Sequence, residues 1–375
     1  MKLLFAFALA VILYFIQYHL YVRMWNRKLN VTIDFAEEIV EEGNQNVLIE
    51  TIENKKWLPI PILQIKFATT KYFLFAREKT SAVTDQYYRN EFFSIMPYQR
   101  VVRELPFICG KRGCYRVNGM DVISKDLFLT GTMFLHLEHE AMVYVLPKKI
   151  PIPELPFTVD TLFGNVVKKS HINEDPFEFA GIREYQPYDN MHSINWKNTA
   201  KSQTIQVNTY HTTYSNEMAV FLNVDTNMVA RADKLQEEAF RIADAVANLF
   251  LYAKVPVGFY TNGKDLFTKE SFATEAGAGK NHITNIELAL ARIDLKAGCN
   301  DFTELLRTTA EHMDRNTKIV IVSNYRKEDM WEQYSAMCAA GFFCTWIIPE
   351  LYDVKIDDRT MALPNTRKWE VDYGD

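Results

Sequence analysis

GIREYQPYDNMHSINWKNTAKSQTIQVNTYHTTYSNEMAVFLNVDT, residues 181–226, contains the point at which the chain changes its periodicity. Its last part, 218–224, is a nearly continuous apolar run, the pattern of a strand buried on both faces of a sheet. Downstream, such runs alternate with helical stripes. Residues 230–254 place Leu235, Ala239, Ile242, Ala243, Val246 and Leu249 on one stripe. Residues 255–260 read as a second strand that ends at Thr261-Asn262-Gly263, 319–322 as a third, and 342–348 as the last. Between them, Ile283, Ile286, Leu290 and Ile293 mark a helix. Asp301 and Glu304 have the form of a capping box, and a helix over 330–340 is closed by Gly341. Strand and helix in alternation imply a parallel, doubly wound sheet over 217–375.

Upstream the period is two. Residues 31–146 carry short runs such as VTIDF, NVLIETI, ILQIKFATT, RVVRELPFI, GCYRVNGMDVI and AMVYVL, rich in β-branched and aromatic side chains and broken by Gly, Pro and Asn. This predicts an Ig-like β-sandwich over 29–146. Pro147, Pro151, Pro153 and Pro156 alternate with apolar residues and predict a stiff connector over 147–157. Residues 158–216 form a separate region that carries the quoted stretch.

The first 28 residues differ from everything after them. Residues 3–16 are 14 apolar residues in a row, extended by Tyr18, Leu20, Tyr21, Val22 and Trp25. About 20 residues cross a bilayer, and the aromatic and basic cluster from 18 to 28 suits an interfacial belt. A retained single-pass anchor is therefore expected. Lys2 on one side against Arg23, Arg27 and Lys28 on the other favours a cytoplasmic body.

The 375 residues sum to a net charge of -5, which argues against a dedicated nucleic-acid binder, since phosphate contacts need a concentrated basic surface. Residues 31–54 hold seven acids and no base, a solvated acidic face. Five cysteines at 109, 114, 299, 338 and 344 have no metal-type spacing, which suits a reducing compartment. In FICGKRGCYRV a Lys111-Arg112 turn places Cys109 opposite Cys114. Two readings stand there: reduced strand thiols, or a cross-strand disulfide.

The quoted stretch resembles the signature of the bacterial DUF58 family, roughly G-x-R-x-Y-x-P-G-D-x-x-R-x-I-x-W-x-x-x-A-R. Gly181, Arg183, Tyr185, Pro187, Asp189, Ile194, Trp196 and Ala200 match it, while Tyr188, His192 and Lys201 stand where Gly, Arg and Arg are usual. Arg112-Gly113-x-Tyr115 resembles the family in the sandwich. Its Asp-Pro-Phe-Gly stretch is reduced to Lys125-Asp126-Leu127-Phe128. The resemblance implies a membrane segment, a β domain and a von Willebrand factor A-like (Rossmann-like) sheet. It also implies work beside a MoxR-type AAA+ ATPase and neighbouring membrane proteins in envelope or complex assembly, with no cofactor of its own.

In the signature, Pro187-Tyr188-Asp189-Asn190 reads as a turn. On the flanking extended stretch Ile194 and Trp196 point one way, Asn195 and Lys197 the other. One reading is structural, an Arg183–Asp189 ion pair under the Trp196 indole that locks a hairpin. The other is a docking surface, since Trp, Tyr and Arg are common hot spots. Asp189, His192 and Ser193 invite a hydrolase triad, but they lie within one turn and lack a nucleophile elbow.

Two further sites nearly exist. A von Willebrand factor A-type metal site needs oxygen ligands from an Asp-x-Ser-x-Ser loop and later loops. Asp225 is in place, but the Ser positions are Asn227 and Val229, Asn324 replaces a later Asp, and Thr303 has an uncertain register. A sheet without its metal is expected. TEAGAGKN at 274–281 lacks the first Gly and the hydroxyl of a phosphate-binding loop, and no strand leads into it, so it reads as a glycine-rich loop. The expectation is an α+β multidomain, non-enzymatic, membrane-anchored interaction factor. The competing classes are an extracytoplasmic adhesion or envelope module and an uncharacterised hydrolase.

Overall fold

The computed structural model describes residues 2–75, 86–151, 174–186, 191–202, 204–212, 217–225 and 232–371. The expected connector lies largely outside them. Two compact units divide the chain. The first comprises residues 1–149, 263–270 and 284–298, and the second residues 150–262, 271–283 and 299–375.

The first unit opens with α1 (Lys2–Met24), one uninterrupted helix long and apolar enough to cross a membrane. Its strands are β1 (Leu29–Phe35), β2 (Ile39–Glu41), β3 (Gln45–Asn54), β4 (Ile60–Thr70), β5 (Phe73–Phe75), β6 (Gln86–Ile95), β7 (Arg100–Cys109), β8 (Gly113–Lys125) and β9 (Thr132–Leu146). They form a four-stranded sheet, β1-β3-β7-β5, and a five-stranded sheet, β2-β9-β8-β4-β6. Alternate residues face one shared core: Val31, Ile33, Leu48, Ile52 and Phe107 from the first sheet, and Leu63, Ile65, Val122, Val143 and Val145 from the second. Strict period-two burial along β3 is what the sequence alternation asks for.

The expected Cys109–Cys114 hairpin is not formed. Cys109 pairs with Phe73 in one sheet and Cys114 with Tyr144 in the other, so Gly110 to Arg112 is a crossover between sheets. Arg112-Gly113-x-Tyr115 builds that crossover. The Tyr115 hydroxyl donates to Lys111 O (2.9 Å) and Arg112 O (3.1 Å), and its ring lies where a Cβ on Gly113, at φ +153°, would meet it at 3.0 Å. Buried Arg112 donates to Leu290 O at 2.8 Å, one of the free carbonyls at the end of a helix in the same unit.

The second unit begins with β10 (Glu174–Glu184), the helix α2 (Trp196–Ser202) and β11 (Gln206–Thr212). Along the chain follow β12 (Met218–Leu222), α3 (Ala232–Tyr252), β13 (Val257–Lys264), β14 (Ser271–Gly277), α4 (Lys280–Arg292), α5 (Phe302–His312), β15 (Lys318–Val322), α6 (Glu328–Ala339), β16 (Phe343–Leu351), α7 (Asp358–Met361) and β17 (Thr366–Val371), with the end of β13 from 263 and α4 from 284 belonging to the first unit. Strands β12 to β17 make a six-stranded sheet in the order β14-β13-β12-β15-β16-β17, with β12 parallel to β13 and β15, and β16 parallel to β15 and β17. Ala219, Phe221, Ile319, Ile321, Trp346 and Ile348 pack on α5 and α6. Leu351 points to the opposite face and packs on Leu235 of α3, so helices cover the sheet on both sides. This is why every residue of β12 and β15 is buried.

Three expectations change here. Thr261-Asn262-Gly263 does not end a strand, because β13 continues through it to Lys264. The TEAG half of TEAGAGKN is the strand β14, which runs directly into the turn before α4. The His282 ring lies where a Cβ on Gly277 would meet it at 2.6 Å, and its Nε2 is 2.6 Å from Val257 O, so a side chain of α4 fills that turn. Phe343–Leu351 is also not the last strand, since β17 follows it at the sheet edge. The N-cap half of the capping box forms, since Asp301 Oδ1 accepts from Thr303 N (2.9 Å) and Glu304 N (3.2 Å), while the Glu304 carboxylate accepts from Arg307 instead.

Candidate functional site

The signature is built as a strand ribbon carrying a short helix. Strands β10 and β11 pair antiparallel, with Gly181 opposite Thr209, Ile182 opposite Asn208 and Arg183 opposite Val207. Pro187 and Asp189 lie outside the described residues, as does the His192 side chain, so the expected turn, the Arg183–Asp189 pair and the triad lie there too. Arg183 is half-buried and donates through NH1 to Glu184 O at 3.0 Å, and Tyr185 N donates to Ile205 O at 2.8 Å.

The extended stretch expected at 194–197 is instead a helix start. Asn195 explains it: its Oδ1 accepts from Asn198 N (3.0 Å), an N-cap, while its own N–H donates to Gln206 O (2.8 Å) and its Nδ2 to Asn208 Oδ1 (2.7 Å). Thr199 Oγ1 accepts from Gln206 N at 3.0 Å, which clamps α2 onto the start of β11. The turn into the helix separates two residues that alternation had put together. Ile194 is buried and bridges Val207, whereas Trp196 is 70% exposed.

Trp196 sits at the first position of α2 and Ala200 one turn later, both exposed, beside the exposed i, i+4 pair Lys197 and Lys201. Ile182, Met191 and Ile205 on the adjoining segments are exposed as well. The arrangement offers an indole and two ammonium groups to water, a combination suited to an acidic, apolar-centred surface.

The second candidate is the C-terminal edge of the parallel sheet. Strand order reverses between β12 and β15, and ligands of open α/β sheets bind outside the carboxyl ends of strands at such a switch point. Buried amides occupy it. Asn223 Nδ2 donates to Ser323 Oγ (3.0 Å), Asn262 Nδ2 to Asn223 Oδ1 (2.9 Å) and Asn300 O (3.1 Å), and Asn262 Oδ1 accepts from Val224 N (2.9 Å). Of these, only Asn262 was singled out in the sequence, as part of a strand end, and the strand pairing brings it to Asn223 and Asn223 to Ser323.

Three of the expected degenerate ligands, Asp225, Thr303 and Asn324, lie among the described residues. Asp225 N donates to Asn223 Oδ1 at 2.9 Å. Thr303 Oγ1 donates to Asp301 Oδ1 at 2.7 Å, so its oxygen serves the helix cap. Asn324 is buried beside Ser323, and Asn227 lies outside the described residues. Tyr325 donates to Asp329 Oδ2 at 3.1 Å. Burial, then Asp329, Asp225 and Asp301, push its hydroxyl up to about 12. Among the described residues no group of three or more His, Cys, Asp or Glu is placed to hold a metal ion.

A cleft of about 520 Å³ opens at the other, N-terminal end of the sheet strands, with Glu217, Tyr260, Glu275, His312 and Asp314 in its wall. Burial, then Glu275 and Glu217, raise the Tyr260 hydroxyl. In the first unit, His136 Nδ1 is 2.7 Å from Asp121 Oδ1, whereas His139 Nε2 is 2.7 Å from Ile33 O, so the two histidines serve different partners.

A family model described as DUF58, protein of unknown function, matches residues 181–365, which supports the DUF58 family. No curated protein matches the chain. Among solved structures the β-rich portion has small β domains as neighbours. The CARDB domain of the PF1109 protein from Pyrococcus furiosus is 14% identical with a TM-score of 0.21, covering 31% of this chain and 93% of that one. A cohesin module from a Clostridium perfringens family 33 glycoside hydrolase is 12% identical with a TM-score of 0.24, covering 31% and 97%.

Proposed function

We propose that this chain is a membrane-anchored, non-enzymatic docking factor of the DUF58 family that presents the α2 face to a protein partner. The observation that carries the reading is the exposure of Trp196 while its neighbour Ile194 is buried. A large apolar side chain held in water at the start of a capped helix contributes little to the fold and is available to a partner. Lys197 and Lys201 set the sign of that partner's surface as acidic. The parallel sheet is read as von Willebrand factor A-like, with a degenerate metal site at Asp225, Asn227, Thr303 and Asn324 beside the Asn223, Asn262 and Ser323 network. Family resemblance supports a MoxR-type AAA+ ATPase as the partner, with its nucleotide and none bound by this chain. α1 anchors the body, and the Arg23, Arg27 and Lys28 cluster favours the cytoplasmic side.

The test is Trp196→Ala with Lys197→Glu and Lys201→Glu, examined by crosslinking in membranes. The variant is expected to melt within about 0.5 kcal/mol of the parent, as exposed substitutions do, and to lose the AAA+ adduct. Retained capture, or unfolding of the variant, contradicts the docking role.

A further inference from the structure

One stripe of α1 does not face outward. Tyr14, Gln17, Tyr21 and Met24, spaced three and four apart, are withdrawn from solvent against the sandwich. The Tyr14 hydroxyl donates to Thr130 Oγ1 (3.1 Å), Gln17 Nε2 to Asp126 Oδ2 (2.6 Å) and the Tyr21 hydroxyl to Pro59 O (3.0 Å). The contact is close, for a Cβ on Gly131 would meet the Tyr18 ring at 2.7 Å. The β8–β9 loop is itself fixed by Asp126, whose Oδ1 accepts from Gly131 N (2.7 Å) and whose Oδ2 accepts from Thr130 Oγ1 (3.0 Å).

This docking shortens the free span. The apolar run from 3 to 16 is 14 residues, about 21 Å at ~1.5 Å per residue, against a hydrocarbon core of about 30 Å. Some 9 Å is therefore missing on the sandwich side if the sandwich stays outside the lipid. The part of the sandwich beside that stretch is apolar. Leu127, Phe128 and Leu129 are exposed at the loop tip, Phe128 at 57%, and the Phe128 ring is 6.2 Å from the Tyr14 ring. One loop away, Trp57 and Tyr98 are exposed on segments joined by the bond from Tyr98 N to Lys56 O.

We infer that the tip of the β8–β9 loop is immersed in the same bilayer leaflet as α1, with Leu127, Phe128 and Leu129 among the acyl chains and Trp57 and Tyr98 at headgroup level. The inference rests on the anchoring reading. The occupant is lipid because the exposed tip continues the lipid-facing surface of α1 and fills the deficit in its span. The sandwich is then held at a fixed depth and orientation by two contacts with the membrane.

The test places p-benzoylphenylalanine at Phe5, Phe92 or Phe128 of the full chain in vesicles of phosphatidylcholine and phosphatidylglycerol. Lipid adducts are read by mass spectrometry after irradiation. Adducts at 5 and 128 with none at 92, an exposed position on β6 separated from Ile123 of β8 by the intervening strand β4, are the expected result. An adduct at 5 without one at 128 overturns the immersion and leaves the anchor intact. Absence at 5 overturns the anchor and the immersion together. Adducts at 92 as strong as those at 128 show that the sandwich is labelled without regard to depth, and also overturn the proposal.

Discussion

Helix α2 and the C-terminal edge of the parallel sheet belong to the same compact unit and use the same residue types in opposite ways. At the sheet edge, Asn223, Asn262 and Ser323 turn inward and satisfy one another and the backbone just past β12 and β15. At α2, Asn195 and Thr199 serve the backbone, and the side chains left over, Trp196, Lys197 and Lys201, go to water. A polar site that is closed on itself contributes to stability. One that leaves its aromatic group exposed has little effect on stability and is free to bind.

The comparison breaks most readily at Asn262. Asn262→Ala removes bonds to Val224 N, Asn223 Oδ1 and Asn300 O from a fully buried position. Leaving several buried groups unsatisfied costs about 3 kcal/mol or more, read as a lower melting midpoint in urea. A loss below about 0.5 kcal/mol, the range of exposed substitutions, would remove the distinction between the two regions.

A smaller effect sharpens it from the sandwich, where a buried polar group is strained instead. Glu50 is 1% exposed, and burial first, then Glu91, raise its carboxyl to about 7, with Arg103 and Arg89 opposing. The folded state therefore holds a proton that the unfolded chain releases near 4.5. Stability falls as pH rises through that window and stays low above it. Glu50→Gln is expected to leave stability unchanged at pH 4 and to raise it by about 2 kcal/mol at pH 8. A gain of equal size at both pH values contradicts the assignment.

The smallest expected effect is at Asp225. If the sheet edge is closed, Mg²⁺ leaves the melting temperature of the parent and of Asp225→Ala alike. A rise in the parent that the variant loses makes the edge a metal site.

Much of the fold was legible because one period dominates each region. The apolar run of α1, the alternation along β3 and the continuous runs of β12 and β15 each have one reading. The candidate sites were less legible, for local reasons. Ile194-Asn195-Trp196 alternates like a strand, and Trp favours one. The outcome turns on the Asn195 side chain finding Asn198 N, a choice that needs β11 in place. Thr261-Asn262-Gly263 has turn chemistry, yet Asn262 is held in β13 by partners 38 and 39 residues away. The crossover after Cys109 looks like a hairpin until the two sheets separate its flanks.

Hydrogen exchange of the full chain in vesicles, with and without a MoxR-type AAA+ ATPase as the proposed partner, separates the two regions in one experiment. The docking account predicts new protection at 191–202 and 204–206, and unchanged exchange at 223–225 and 323–325. Protection at the sheet edge with α2 unchanged would contradict it and move the binding site to the switch point.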